Sequence, residues 1–268
     1  MLRALDQILD RVIVTGDVER LRSLDRIAFV ASYADKALVT RSLVTLVTEL
    51  ESNGYGVVLI RASPGMLTPE WPVGFIGEPV IVTKPNVGYD FGSWATGLAL
   101  FSELAEKPFV LLANDSMAGP FSSLAPMLQN FESSESDVWG ATNTDEIMPH
   151  LQSYLLGFTA GILATKPLRD FWNEIRVMND KDEIVKRYEI GLSRLLRSEG
   201  YTSQVWFDSS QVVSDGGNPT LIGWFRLLEL GFPFVKRMLV ANAEIFPDAL
   251  DAPAAIRGMF GTELREWL

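Results

Sequence analysis

The chain has 268 residues, of which 47% are hydrophobic and 21% charged, and a formal net charge of −11. This composition excludes a disordered, collagenous or disulfide-stapled protein, and the length suits one large domain or two small ones. There is no cysteine and one histidine, which removes thiolate chemistry, iron–sulfur clusters and multi-histidine metal sites. The acidic balance has the wrong sign for a nucleic-acid partner but leaves room for one phosphate ligand held by local cations.

The first fifteen residues mix Arg3, Asp6, Asp10 and Arg11 into their apolar positions, unlike a secretory leader, and no apolar run approaches a membrane span. The expectation is a cytoplasmic protein. Residues 27–31 read as a first strand running into Ser32 and Tyr33. Leu38, Leu43, Val44, Val47 and Leu50 keep helical spacing, with Gly54 as the stop. Residues 55–60 and 79–83 read as second and third strands, rich in Val and Ile as strands buried on both faces are. Between them, residues 63–77 hold three prolines and three glycines and read as a loop. Trp94, Leu98 and Phe101 mark a helix, and residues 109–113 a uniformly apolar, central fourth strand. Residues 137–141 and 151–158 read as further strands. Leu168, Phe171, Trp172 and Ile175 mark a helix, residues 184–196 another, and residues 201–207 a late strand. Asn218 and Pro219 open a last long helix ended by Gly231. This alternation predicts an α/β fold, a Rossmann-type, mostly parallel sheet flanked by helices. It is read as a single domain over 1–268, with a nucleotide-binding half at about 27–120, a second half at about 121–240 and an extension over 241–268.

Two consecutive segments carry most of the chemistry. Asn86-Val87-Gly88-Tyr89-Asp90-Phe91-Gly92 joins the third strand to a helix, where open parallel sheets bind ligands. Asn86 and Asp90 offer acceptors, Gly88 and Gly92 allow close backbone approach, and the helix start attracts anions. The spacing is neither a dinucleotide fingerprint nor a Walker loop; the same residues would also make a plain turn capped by Asp90. The second segment, Asn114-Asp115-Ser116, follows the central strand, a position that can hold a metal–phosphate group or simply turn the chain. Further along, the stripe Val185, Glu189, Leu192, Leu196 puts a carboxylate among core residues, where it needs a partner or a task. His150, Gln152 and Tyr154 share one strand face by the period of two, as a sugar-binding wall or a solvent-facing side. Lys236 and Arg237 follow a Gly-Phe-Pro turn, as a diphosphate clamp or a solvated basic pair. Ser32, Tyr33 and Asp35 follow the first strand.

Taken in order with Tyr188-Glu189-Ile190-Gly191-Leu192-Ser193, Asn218-Pro219-Thr220 and Gly231-Phe232-Pro233-Phe234-Val235-Lys236-Arg237, these segments resemble the rhamnan synthesis F family over about residues 27–240. That is a family of bacterial glycosyltransferases with a GT-A-like fold. The resemblance implies transfer of a sugar, rhamnose first among them, from a nucleotide diphosphate sugar donor. The acceptor would be a growing cell-surface polysaccharide, met as an oligosaccharide or lipid-linked chain, with peripheral association at the inner membrane face. It implies Glu189 and His150 as catalytic residues and Ser32, Tyr33, Asn86, Gly88, Asp90, Gly92, Asn114, Lys236 and Arg237 as donor-binding ones. Gln152 and Tyr154 would bind acceptor, and Asp115 would ligate a divalent cation, Mg²⁺ or Mn²⁺. Where glycosyltransferases of that fold carry Asp-x-Asp, this chain has Asn114-Asp115-Ser116, with one carboxylate. The rival reading is a non-catalytic carbohydrate-binding or assembly module of the same fold, which the missing carboxylate favours.

Overall fold

A computed structural model describes residues 2–214, 216–242 and 245–268. The strands are β1 (Ile13–Thr15), β2 (Arg26–Tyr33), β3 (Gly56–Ser63), β4 (Val80–Pro85), β5 (Phe109–Asn114), β6 (Met117–Ala118), β7 (Val138–Thr144), β8 (His150–Leu151), β9 (Leu155–Thr159), β10 (Ser203–Phe207) and β11 (Val235–Lys236). Among the described residues nine of these form one sheet in the order β1-β4-β3-β2-β5-β9-β7-β10, with β8 also on β7; β6 and β11 pair separately. β2, β3, β4, β5, β7 and β10 run in one direction, and β1, β8 and β9 run against them. The fold is thus mixed α/β, with the expected mostly parallel, Rossmann-like sheet flanked by helices.

The period of two along β2 builds the layers. Ile27, Phe29 and Ala31 enter one hydrophobic cluster and Ala28 and Val30 the opposite one. Both faces are covered, so the strand reads as one apolar run. The helices Tyr89–Leu100 and Lys166–Asn173 and the helical stretch 181–198 cover the first face through Trp94, Leu168, Trp172 and Leu192. Arg41–Ser52 and Ala125–Glu132 cover the second through Leu43, Val47, Met127 and Phe131. Trp224, Leu239, Ile256 and Trp267 form a third cluster among the C-terminal helices. Among the described residues no helix is long and apolar enough to cross a membrane.

Four local departures from the expected elements matter. β3 and β4 run past their apolar cores into Arg61–Ser63 and Lys84–Pro85. The single strand expected over 151–158 is bulged: Gly140 pairs with Leu156, but Asn143 pairs with Leu151, leaving two extra residues on that side. The helix expected over 184–196 contains a π turn at Val185–Glu189. The long helix expected from Asn218 to Gly231 is two short ones, Pro219–Ile222 and Trp224–Glu229, broken at Gly223. A Cβ at Gly223 would lie 2.4 Å from Val212 Cγ1, so the close packing that breaks the helix admits only glycine there.

From β2 the sheet is laid outward in two directions, through β3 and β4 on one side and β5 on the other. The winding therefore reverses between β2 and β5, and the crevice beyond their C-terminal ends is where such sheets bind ligands. Ser32 and Tyr33 end β2, and Asn114 and Asp115 end or follow β5.

Candidate active site

Two adjoining chambers open at that crevice. The larger, about 500 Å³, is lined by Ser32, Tyr33, Asn86, Gly88, Tyr89, Asp90 and the segment Val177–Asn179, among others. The smaller, about 180 Å³, is lined by Tyr89, Asp90, Asn114, Gln152, Ser153, Tyr154, Val185, Glu189 and Lys236, among others. Tyr89 and Asp90 belong to both. The structure thus brings together ten of the residues singled out in the sequence: Ser32, Tyr33, Asn86, Gly88, Asp90, Asn114, Gln152, Tyr154, Glu189 and Lys236. Gly92, His150, Asp115 and Arg237 line neither chamber.

The turn over residues 86–90 owes its shape to two residues in the left-handed region. Gly88, at φ 82°, caps the Tyr89–Leu100 helix, and Tyr89 follows at φ 53°. A β-carbon on Gly88 would meet Gly92 Cα at 2.9 Å, and one on Gly92 would meet the Val87 carbonyl at 2.8 Å. Gly92 thus serves the packing of the turn and lines neither chamber. Asp90 sits in the first helical turn, not at the cap, and accepts from Asn114 Nδ2 at 2.8 Å. Asn114 Oδ1 in turn accepts from the Ser116 amide and hydroxyl at 3.1 and 2.6 Å. The strand end after β5 is thus tied to the helix start after β4. Tyr33 and Tyr89 are each about half exposed at the larger chamber, 50% and 48%.

Glu189 is positioned by the two irregularities already described. The π turn adds a residue to the helix and rotates its faces. Ile184, Tyr188, Leu192 and Leu196 form the buried stripe, and Val185 and Glu189, expected in that stripe, turn to the smaller chamber. Opposite, the bulge presents Ser153, whose amide donates to Glu189 Oε1 at 3.2 Å and whose hydroxyl donates to Oε2 at 2.9 Å. π turns and bulges concentrate at functional sites because each re-aims a side chain. His150 is buried, with Nε2 3.5 Å from Glu189 Oε1 and Nδ1 2.7 Å from the Met148 carbonyl. Burial disfavours the imidazolium, but the bonds to Glu189 and Met148 outweigh it and raise its pKa. The bulge also undoes the shared face expected for His150, Gln152 and Tyr154. Gln152 Oε1 accepts from Thr142 Oγ1 at 2.6 Å, the Tyr154 hydroxyl meets the same Thr142 oxygen at 2.8 Å, and His150 turns to Glu189 instead.

Asp115 does not face the chambers. With Ser42, Met117 and others it lines a small cavity of about 20 Å³, which shares Asn114 and Tyr154 with the smaller chamber. Its Oδ2 accepts from Ser32 Oγ at 2.7 Å and from the Tyr33 amide at 3.2 Å. Burial raises its pKa against these bonds and the charges of Arg237 and Arg61. Two guanidinium charges beside one carboxylate oppose a dication, and among the described residues no three His, Cys, Asp or Glu side chains come together to hold a metal. Asp115 alone would supply the protein's carboxylate to a cation there, with two guanidinium charges opposing it. Lys236 and Arg237 diverge: Lys236 lines the smaller chamber, while Arg237 donates to the Met117 carbonyl at 3.4 Å and Thr40 Oγ1 at 3.2 Å.

Sequence reading missed two buried cations. Arg61, on β3, donates to Ser32 Oγ at 2.8 Å and to the Lys36 carbonyl at 3.0 Å. Lys84, on β4, donates to the Pro85 and Val87 carbonyls at 3.1 and 2.9 Å. A signal was available: Arg61 is a lone charge directly after an apolar strand core, and Lys84 follows one after a single threonine, Thr83.

A Rossmann-like protein with a two-chambered cleft at the switch point of its sheet is thus defined. The chain matches the family described as rhamnan synthesis protein F over residues 76–253, more than half its length, and belongs to that family. The virulence protein VirA of Vibrio anguillarum is 26% identical over 227 residues, covering 72% of each chain. An uncharacterized protein of Sinorhizobium fredii, y4gN, is 27% identical over 181 residues, which is 65% of this chain and 46% of that protein.

Proposed function

We propose that the protein is a glycosyltransferase of polysaccharide synthesis, moving a sugar, rhamnose in the first instance, from a nucleotide diphosphate donor to a saccharide acceptor. The observation that carries the reading is the content of the smaller chamber. A carboxylate held by Ser153 and His150 faces the same space as Lys236 and Asp90, next to a chamber roomy enough for a nucleoside. Family membership supports the same class of activity.

In this reading the base stacks on Tyr33 in the larger chamber and the sugar lies toward Asp90 and Asn114. The acceptor hydroxyl enters past Gln152 and Tyr154 and gives its proton to Glu189. Its oxygen attacks the anomeric carbon as the bond to the diphosphate breaks, and the electron pair leaves with the nucleotide. Direct displacement of this kind inverts the anomeric centre. Charge growing on the leaving group is met by Lys236 and by the N-terminus of the Tyr89–Leu100 helix, so the step is drawn without a metal. His150 touches neither substrate here and acts by orienting Glu189.

The competing reading, a carbohydrate-binding or assembly module without turnover, draws on the single carboxylate at Asp115. A panel of nucleotide sugars, assayed for transfer and for donor hydrolysis, separates the two. Turnover that is abolished in Glu189→Gln supports the enzyme; tight saccharide binding without consumption of any donor supports the module.

A further inference from the structure

Lys84 is completely buried, and the mechanism above makes no use of it. Its two carbonyl partners, Pro85 and Val87, fix the ammonium beneath the turn that carries Asn86, Gly88 and Asp90. Its cross-strand neighbour at that register is Ala62 of β3, which is uncharged, and the charge acting on it is the Asp90 carboxylate. Asp90 is a wall of both chambers. A carboxylate there has the wrong sign for an anionic donor, and a change of one unit charge at a partly buried site changes anion affinity by about tenfold or more.

We propose that Lys84 is a positioning residue whose buried charge compensates Asp90, so that a nucleoside diphosphate can be held beside a carboxylate. The inference rests on the donor reading above. Geometry places the charge there, because the ammonium is held by the Pro85 and Val87 carbonyls under the turn that leads into Asp90. Burial pushes the ammonium down to about 8, with Asp90 drawing it back up, so the charge is present at neutral pH and lost above that value. The sign separates compensation from a plain structural role. The unfolded chain keeps this proton to about 10.5, so the group's contribution to stability rises between about 8 and 10.5. Ligand affinity falls over a range in which this group does not weaken the fold.

Two measurements on the full chain test the proposal. The chain has seven lysines, so the ε-carbon resonance of Lys84 can be assigned by its loss in Lys84→Met and titrated without nucleotide. It should titrate near 8 in the wild type and lower in Asp90→Asn. A Lys84 that titrates near 10.5, or that ignores Asp90→Asn, overturns the proposal. In the second measurement, UDP, dTDP and GDP are titrated from about pH 7 to about pH 9. Affinity for the nucleotide that binds should fall about tenfold through pH 8, while the melting temperature does not follow it. Lys84→Met should bind weakly at every pH, and Lys84→Met with Asp90→Asn should recover most of the loss. A flat wild-type profile overturns the proposal. If no nucleotide binds at any pH, the donor reading fails, and the Lys84 titration alone decides whether the two charges are coupled.

Discussion

Replacing Glu189 with Gln isolates the proton acceptor from the fold around it. The carboxylate takes two hydrogen bonds from Ser153 and lies 3.5 Å from His150 Nε2. A glutamine can keep most of this: its Oε1 accepts the Ser153 amide, and the Ser153 hydroxyl can turn to accept from the new NH₂. Exchanging one charged acceptor for a neutral one here costs on the order of 1 kcal/mol, or about 2–4 °C in melting temperature for a domain of this size. The rate should fall far more, by ~10²–10⁴-fold, which corresponds to ~3–5.5 kcal/mol of transition-state stabilisation. Donor affinity should stay near wild type, because Glu189 does not line the larger chamber. The assay is single-turnover transfer at saturating donor, with nucleotide affinity and melting temperature measured on the same preparation. The single histidine gives an internal check by NMR: Glu189 helps raise the His150 pKa, so it should drop in the variant. A variant that retains more than about a tenth of the wild-type rate would refute the base assignment. So would one whose rate loss is matched by unfolding.

Four further outcomes follow from the same geometry. His150 has a raised pKa in the fold, so its stabilisation should be present in full below the ordinary value of 6.5 and be lost as pH rises through the raised one. The stability gap between wild type and His150→Asn should narrow in that direction, and a gap that widens would contradict the bond to Glu189. Tyr33→Ala should weaken nucleotide binding by ~1–3 kcal/mol with little change in melting temperature, since the ring is half exposed; unchanged affinity removes it from the base site. Gly88→Ala places a Cβ 2.9 Å from Gly92 Cα at a positive φ, and calorimetry should show a loss of ~1–3 kcal/mol in stability. Nucleotide affinity should be the same in EDTA and in Mn²⁺; a gain of roughly tenfold with Mn²⁺ would show that Asp115 does recruit a metal.

The layered fold was legible because its evidence is periodic and local. Apolar runs of strand length at 27–31, 55–60, 79–83 and 109–113 each became a parallel strand of the sheet. The turn after β4 and the end of β5 were legible as a ligand edge for the same reason, since polar and glycine residues interrupt uniformly apolar strands there. What stayed hidden depends on contacts distant in sequence. Arg61 and Lys84 are hidden because an apolar run ends at the first charge, although the ladder with β2 and β3 continues for two more residues. The short strand β1 has all three residues exposed, so it carries no burial period to read. The surroundings of Asp115 come from three other parts of the chain, Ser32 with Tyr33, Arg61 and Arg237, and its place at a strand end does not reveal them.

The bulge and the π turn explain why the catalytic geometry, in particular, could not be read from spacing. Each inserts residues without altering the apolar pattern on either side, so a reader who assumes regular periods assigns the right element and the wrong face. Applied to 151–158, a strict period of two puts His150, Gln152 and Tyr154 together; the bulge separates His150 from the others and exposes the Ser153 amide instead. Applied to 184–196, a strict helical period puts Glu189 in the core; the π turn moves it to the chamber. The two insertions face each other, and Glu189 is bonded to the residue that the bulge releases. Neither would place the carboxylate alone. A regular helix would bury Glu189 away from the cleft, and a regular strand would leave Ser153 in the ladder with its amide already taken. The coupling implies that restoring either element, by deleting one residue from the π turn or the two extra residues from the bulge, should retain the sheet and lose transfer. Circular dichroism would report the first and single-turnover kinetics the second. A regularised variant that still transfers sugar at the wild-type rate would show that Glu189 is not held for catalysis by these two irregularities.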